Sequence, residues 1–358
     1  MRFFIRLVLI LVVLAVIAGG AAYYFGAERL YAPYKGYAES ERFVEVTSGA
    51  GPATIGQKLV EAGVVSDAYT WRAALWISGR SRDLKAGEYR FDQPMNALAV
   101  VDKIARGDVY RRLVTFREGL TIHEMSLIYE QEGLGPGEDF RKAARDASLV
   151  QDLDPEARDL EGYLFPDTYS LRRETPASAL VSQMLESFKK VFTPALQDAA
   201  KARGLTVRQA VTLASLVEKE TGVAEERPVV AAVYLNRHAI KMPMQADPTV
   251  IYAMQRAGNY NGNIRKEDLQ IDSPYNTYRY PGLPPGPIAA PGKASIEAAV
   301  NPAQVDYLYF VSKNDGSHVF ARTLDEHNRN VQEWQVRFFR ERRQQAALNR
   351  TPTNSTPR

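Results

Sequence analysis

The chain has no cysteine. That excludes a disulfide framework, a thiolate nucleophile and a zinc–thiolate site. Its four histidines include no pair at ligand spacing, and no acidic calcium loop is present, so neither a metal nor a cofactor is expected. Gly282 to Gly286 is not followed by Lys-Ser/Thr, which excludes a phosphate loop there. Charge of one sign is also scarce. The 45 basic and 42 acidic residues leave a net charge of +3 with no basic block, so nucleic acid is not an expected partner.

One long stretch lacks charge altogether, Leu7 to Phe25, directly after the basic MRFFIR. It has about the length that crosses a hydrocarbon core as a helix. No small-x-small cleavage site precedes a polar start, and Tyr23, Tyr24 and Phe25 suit a membrane interface. The expectation is a retained single-pass anchor in the cytoplasmic (inner) membrane. Residues 1–6 form a cytoplasmic basic N-terminus, 7–25 a transmembrane helix and 26–41 a tether. Arg2 and Arg6 keep the N-terminus inside and place the rest on the far side.

Residues 42–110 read as a small α/β module. FVEV is a strand, Pro52–Ala62 and Asp67–Ser78 are helices, Leu84–Phe91 is a strand and Asn96–Arg106 a third helix. The order then repeats over 111–160 and just beyond. LVTF at Leu113 is a strand, Gly119–Gly133 and Phe140–Ala147 are helices, Leu160–Tyr163 echoes the second strand, and TPASALVSQML echoes the third helix. This reads as an old duplication. Residues 161–345 form the largest segment, and 346–358 a disordered tail.

Within that segment, Gly204 to Gly222 gives a helix with Thr206 as cap and Gly222 as stop. Val207, Ala210, Val211, Leu213, Ala214, Leu216 and Val217 cover more than half its circumference, which predicts a deeply buried helix. Two carboxylates, Glu218 and Glu220, close it. A carboxyl against an apolar wall keeps its proton towards neutral pH and can act as a general acid. At about 100° per residue both glutamates flank the apolar face, so periodicity does not choose between them. Further helices are expected over Glu225–Arg237, Pro248–Ala257 and Leu324–Leu348, with a hairpin of Asp306–Ser312 and His318–Phe320. Between them Asn259–Lys293 is a long loop with recurring Pro, Gly and Tyr, of a length that is usually functional or disordered.

Several stretches pair flat aromatics with amides and hydroxyls, as a groove for sugar rings would. They are LEGYLFPDTY from Leu160, VYLNRHAIKMPMQADPTVIYA from Val233 and SPYNTYRYPGLPPGPIAAPG from Ser273. Together with LASLVEKET from Leu213 and YLYFVSKNDGSHVFART from Tyr307 they resemble, in the same order, the endolytic murein transglycosylase (YceG-like) family, over roughly Phe43 to Gln345. Departures occur at His238, where the family usually has Leu, and at Ala290, where it often has Asn.

The resemblance implies an α+β fold: a membrane helix, a LysM-like module and a mostly helical, lysozyme-like catalytic domain. It implies a lyase that cuts peptidoglycan strands between N-acetylmuramic acid and N-acetylglucosamine, leaving 1,6-anhydro ends. It identifies Glu218 as the catalytic acid and then base. Glu220, Asp247 and a substrate amide are the candidates for stabilising the oxocarbenium-like state. Asn236, Gln245, Asp247, Tyr275, Asn276, Thr277 and Tyr278 are the candidate saccharide-binding residues, with His318 a lesser one. Expected partners are glycan strands, the membrane and peptidoglycan synthases. The rival readings are a muramidase that uses water, and an anchored glycan binder that needs the aromatics but not Glu218.

Overall fold

Helix α1 opens the chain and runs Arg2–Tyr31 in the computed structural model, which describes residues 2–348. The tail expected over 346–358 lies outside the described residues from 349 onward, and up to Leu348 it belongs to a helix. Several side chains of α1 are also outside the description. Among the described residues no helix is long and apolar enough to cross a membrane.

Two units make up the chain, 1–112 and 113–358. In the first, α1 is followed by β1 (Arg42–Val46), α2 (Pro52–Glu61), α3 (Ala68–Ser78), β2 (Gly87–Phe91) and α4 (Ala97–Arg106). Local chemistry sets these ends. Pro52 begins α2, Asp67 accepts from the Tyr69 and Thr70 N–H groups to start α3, and Asn96 caps α4. The strands pair antiparallel, Val44 opposite Tyr89, and their alternation turns Val44, Val46, Tyr89 and Phe91 inward. Trp71 is buried against Gly56, where a Cβ would come within 2.1 Å of the indole, so only glycine fits.

Part of the segment read as a tether packs on this unit. Leu30 and Tyr37 are buried in this core, the Tyr37 hydroxyl donates to the Phe91 carbonyl at 2.8 Å, and Tyr34 bridges to Met95. The reason is apolar: Leu30 and Tyr37 complete a core that two short strands and three helices leave open.

In the second unit β3 (Arg112–Thr115), α5 (Ile122–Gln131), α6 (Gly137–Ala144), β4 (Thr168–Leu171) and α7 (Ala177–Val191) repeat the order strand–helix–helix–strand–helix. The second strand of this copy is Thr168–Leu171, paired with β3, and not Leu160–Tyr163. All five residues from Leu160 to Leu164 are buried and the chain turns there, so the stretch shows none of the in-out alternation of a strand. There follow α8 (Pro194–Ala202), α9 (Val207–Glu220), α10 (Arg227–Ala239), α11 (Asp247–Arg256) and α12 (Lys293–Val300). The hairpin β5 (Tyr309–Ser312) and β6 (His318–Ala321) leads to α13 (Leu324–Val331), a π-helical turn over Gln332–Arg337 and α14 (Phe338–Leu348).

Helix α9 is the axis of this unit. Thr206 and Gln209 form a reciprocal capping box at its start, and all eight residues from Ala210 to Val217 are buried. α8, α10, α11 and α12 all contact it. It ends at Thr221, which is extended, rather than on a left-handed Gly222.

Candidate active site

The two glutamates at the end of α9 point to different neighbours. Glu218 has a side chain only 7% exposed. Its Oε2 accepts the Gly292 N–H at 3.0 Å, and its Oε1 lies 3.9 Å from Nη2 of Arg227, the first residue of α10. Arg227 Nε is buried with no hydrogen-bond partner among the described residues. The Ala289–Gly292 strip is fixed from both sides. Gly119 N–H donates to Ala290 O, Ala290 N–H donates to Leu120 O, and Ile288 N–H donates to Ser215 Oγ on α9.

That backbone pairing brings in a residue the sequence reading missed, Glu118. A Cβ on Gly292 would lie 1.8 Å from Glu118 Oε1, so this carboxyl occupies the space beside Gly292. Partial burial and then the charge of Glu218 hold Glu118 above the usual carboxylate range, while Arg227 opposes them. The signal available in the sequence was a Glu-Gly pair just ahead of the capping Thr121.

Glu220 faces α10. Its Oε1 accepts from the Tyr234 hydroxyl at 2.8 Å. Burial pushes its carboxyl up to about 7. The Asp247 charge adds to this, and Tyr234, His318 and Arg237 oppose it. So the neutral-range carboxyl of α9 is Glu220, and the one with an N–H donor and a cation beside it is Glu218.

The other expected site residues divide between this neighbourhood and the scaffold. Asp247 is exposed and accepts from the Tyr278 hydroxyl at 2.5 Å, so these two gather with Glu220. Gln245 is exposed and left-handed, at φ 53°, a strained state for a residue with a side chain. Its N–H donates to Thr277 O. Thr277 is buried, and its hydroxyl accepts from Ala246 N–H and pairs with Thr249, which pins the 245–247 turn. Asn276 spends its amide on Leu269 O and Ile271 O and accepts from Tyr278 N–H, all within the loop. Asn236 donates to Val305 O and Tyr307 O, which fastens the approach to β5. Nδ1 of His318 lies 2.7 Å from Glu226 Oε2.

Tyr275 lies elsewhere, edge-on to Tyr252 with Arg256 over both rings. It lines a cleft of about 540 Å³ together with Glu161, Arg208 and the Pro285–Pro287 turn. Glu161 is buried there and accepts from Ile122 N–H and the Tyr252 hydroxyl. Burial, and then the Asp159 charge, push it up to about 8.

A family model described as the YceG-like family matches residues 44–333, most of the chain and all of the site above. The chain belongs to the YceG-like family. Among its YceG-like relatives is an endolytic murein transglycosylase of Bacillus subtilis, 31% identical over 326 residues, which are 87% of this chain and 89% of that protein. Another of the same name, from Streptococcus pneumoniae, is 31% identical over 83% of this chain and 59% of its own length. The crystal structure of a yceG-like protein from Listeria monocytogenes superposes with a TM-score of 0.56 at 29% identity, over 82% of this chain and 99% of that one.

Proposed function

We propose that this YceG-like chain is a lytic transglycosylase that cuts peptidoglycan strands between N-acetylmuramic acid and N-acetylglucosamine and leaves 1,6-anhydro ends. The observation that carries it is Glu218, a nearly buried carboxyl at the end of the central helix of a chain whose curated relatives are named endolytic murein transglycosylases. Glu218 protonates the glycosidic oxygen. As a carboxylate it then takes the proton of the muramic acid 6-hydroxyl, whose oxygen closes on C1. An attacking group already held by the substrate replaces much of the entropy cost of recruiting a second reactant. Cuts of this kind inside nascent strands limit their elongation and bring the enzyme beside peptidoglycan synthases.

The site is extracytoplasmic in this reading. The anchor rests on the uncharged run Leu7–Phe25, about 28 Å long as a helix. Leu9 to Leu14, Val16 and Ile17 are each more than half exposed, apolar all round as a lipid-facing helix is. The strand–helix–helix–strand order of the first unit supports reading it as a LysM-like module that holds glycan. A reporter active only outside the cytoplasm, fused after Arg358, works if the topology is right. Activity of a cytoplasmic reporter there instead would overturn it.

A second reading has one observation in its favour. Glu118 and Glu218 flank the same glycine, so their nearest oxygens lie within about 7 Å of each other. Paired carboxyls at such a distance also suit a muramidase. Digestion of peptidoglycan in water enriched in oxygen-18, followed by mass spectrometry without reduction, separates the two. Anhydro ends are one water lighter and unlabelled. Labelled reducing ends as the main product would establish the muramidase.

A further inference from the structure

The outer face of α3 leaves large apolar side chains uncovered. Tyr69 is 81% exposed, Trp76 85% and Ile77 48%. At about 100° per residue Tyr69, Ala73 and Trp76 fall on one stripe, and the buried Trp71, Ala74 and Leu75 lie on the opposite side. The helix is apolar on both sides, and only one side is packed. Among the described residues of the 1–112 unit past residue 34, α3 carries all the exposed large apolar side chains. A concentration of this kind marks a surface that something outside the chain covers.

Beside this face stands the end of α1. Arg29 Nη1 is 3.8 Å from Oδ2 of Asp67, the residue that caps α3. Leu30 is buried in the same core as Trp71 and Leu75, which holds the end of α1 and the start of α3 together. Phe25 closes the uncharged run, and Arg29 follows it by four residues, about 6 Å along the helix. The headgroup layer of a bilayer is about 5–8 Å deep on each side. With Leu7–Phe25 in the hydrocarbon, the start of α3 falls in that layer. Tyr and Trp collect there, because each has an apolar ring and a polar atom. The charge fits as well. Arg72 is the single charged residue of α3, it is exposed, and it stands within about 60° of the stripe. A sugar site would set amides and hydroxyls beside its aromatics, and the outward stripe offers only the Tyr69 hydroxyl.

We propose that the Tyr69–Trp76 face of α3 lies on the surface of the membrane that holds α1, with both rings in the headgroup layer and Arg72 against lipid phosphates. This rests on the anchor reading above. Two attachments fix the tilt of the 1–112 unit on the bilayer, where a single helix would let it swing.

The test uses the full chain reconstituted in vesicles of phosphatidylcholine and phosphatidylglycerol. Flotation with the vesicles reads the anchor, and tryptophan emission reads the face. Trp76→Phe isolates the signal, since Trp71 is buried and Trp334 belongs to the other unit. The emission that this variant loses should lie to the blue of a water-exposed indole and be quenched by lipids brominated high on the acyl chain. Ala73→Glu sets an acid in the middle of the exposed stripe, away from the core, and should abolish both effects. Because the chain has no cysteine, Tyr69→Cys takes a single spin label, which should relax more with oxygen than with a water-soluble nickel chelate. A chain that floats while Trp76 keeps the emission of an indole in water overturns the proposal and leaves the anchor standing. A chain that does not float removes the anchor reading and the proposal with it. Trp76 emission that ignores brominated lipid but shifts on adding peptidoglycan sacculi makes the face a glycan site instead. Emission that shifts with protein concentration in detergent makes it a contact between two copies, and either result overturns the membrane face.

Discussion

The hydroxyl of Tyr234 points at Glu220 from 2.8 Å, and both belong to the packed face between α9 and α10. This one donor stands against the burial that pushes Glu220 up to about 7. Removing it in Tyr234→Phe should raise Glu220 further. Because the native pKa lies above the ordinary 4.5, the native state holds a proton the unfolded chain has lost. Stability is thus fully present below about pH 4.5 and is lost as pH rises through 7. The hydrogen bond is worth about 1 kcal/mol to the neutral acid and about 1.5–3 kcal/mol to the carboxylate. Urea melts at pH 5 and pH 9 should show the larger loss for Tyr234→Phe at pH 9. An equal loss at both would contradict the raised carboxyl.

Glu161 gives the same sign over a wider window. Held at about 8, it removes stability as pH rises from 4.5 through 8. Each unit of difference corresponds to about 1.4 kcal/mol. Glu161→Gln keeps an oxygen to accept from Ile122 N–H, and its amide N–H can donate to the Tyr252 hydroxyl oxygen in place of the second carboxylate oxygen. It should flatten the fall of the melting temperature between pH 5 and pH 8.5, measured by differential scanning calorimetry. A wild-type melting temperature that is already flat there would rule the effect out.

For chemistry the decisive variant is Glu218→Gln. Its amide oxygen can still accept from Gly292 N–H, so the fold should hold, but no acid remains. Glycan cleavage, followed by release of soluble fragments, should fall by a factor on the order of 10² or more. Near-normal cleavage would remove Glu218 from the reaction.

At the other end of α9, Thr206→Ala breaks a capping box in which Thr206 Oγ1 accepts from Gln209 N–H at 3.2 Å and Gln209 Oε1 accepts from Thr206 N–H at 2.9 Å. The cost should be about 1 kcal/mol in urea unfolding. Thr206→Ser, which keeps the acceptor, should recover most of it.

How far the sequence could be read follows from the range of each interaction. α9 was legible because Thr206, Gln209 and the apolar residues up to Val217 act within a few residues of one another. Asp67, Asn96, Gly79 and Gly107 mark α3 and α4 for the same reason. Glu118 was not legible, since the contact that carries its loop to the helix, Lys219 to Gly119, spans 100 residues. Nor could periodicity separate Glu218 from Glu220. Their difference lies in Gly292 and Arg227 on one side and Tyr234 on the other, which is tertiary information. Asn276 and Thr277 stood out as polar loop residues, yet their polar atoms hold the loop together, and composition cannot distinguish the two uses.

Helix α1 does not end at the surface of the first unit. Leu30 is buried in the core of the 1–112 unit, Arg29 reaches Asp67 at the start of α3, and Tyr37 closes over Phe91. The last turn of α1 is therefore a post set into its socket, and the two share one fate when the protein is pulled or trimmed. A version cut at residue 32 to make it easier to handle would uncover an apolar pit where Leu30 sat. One cut ahead of Glu28 would keep the plug in place.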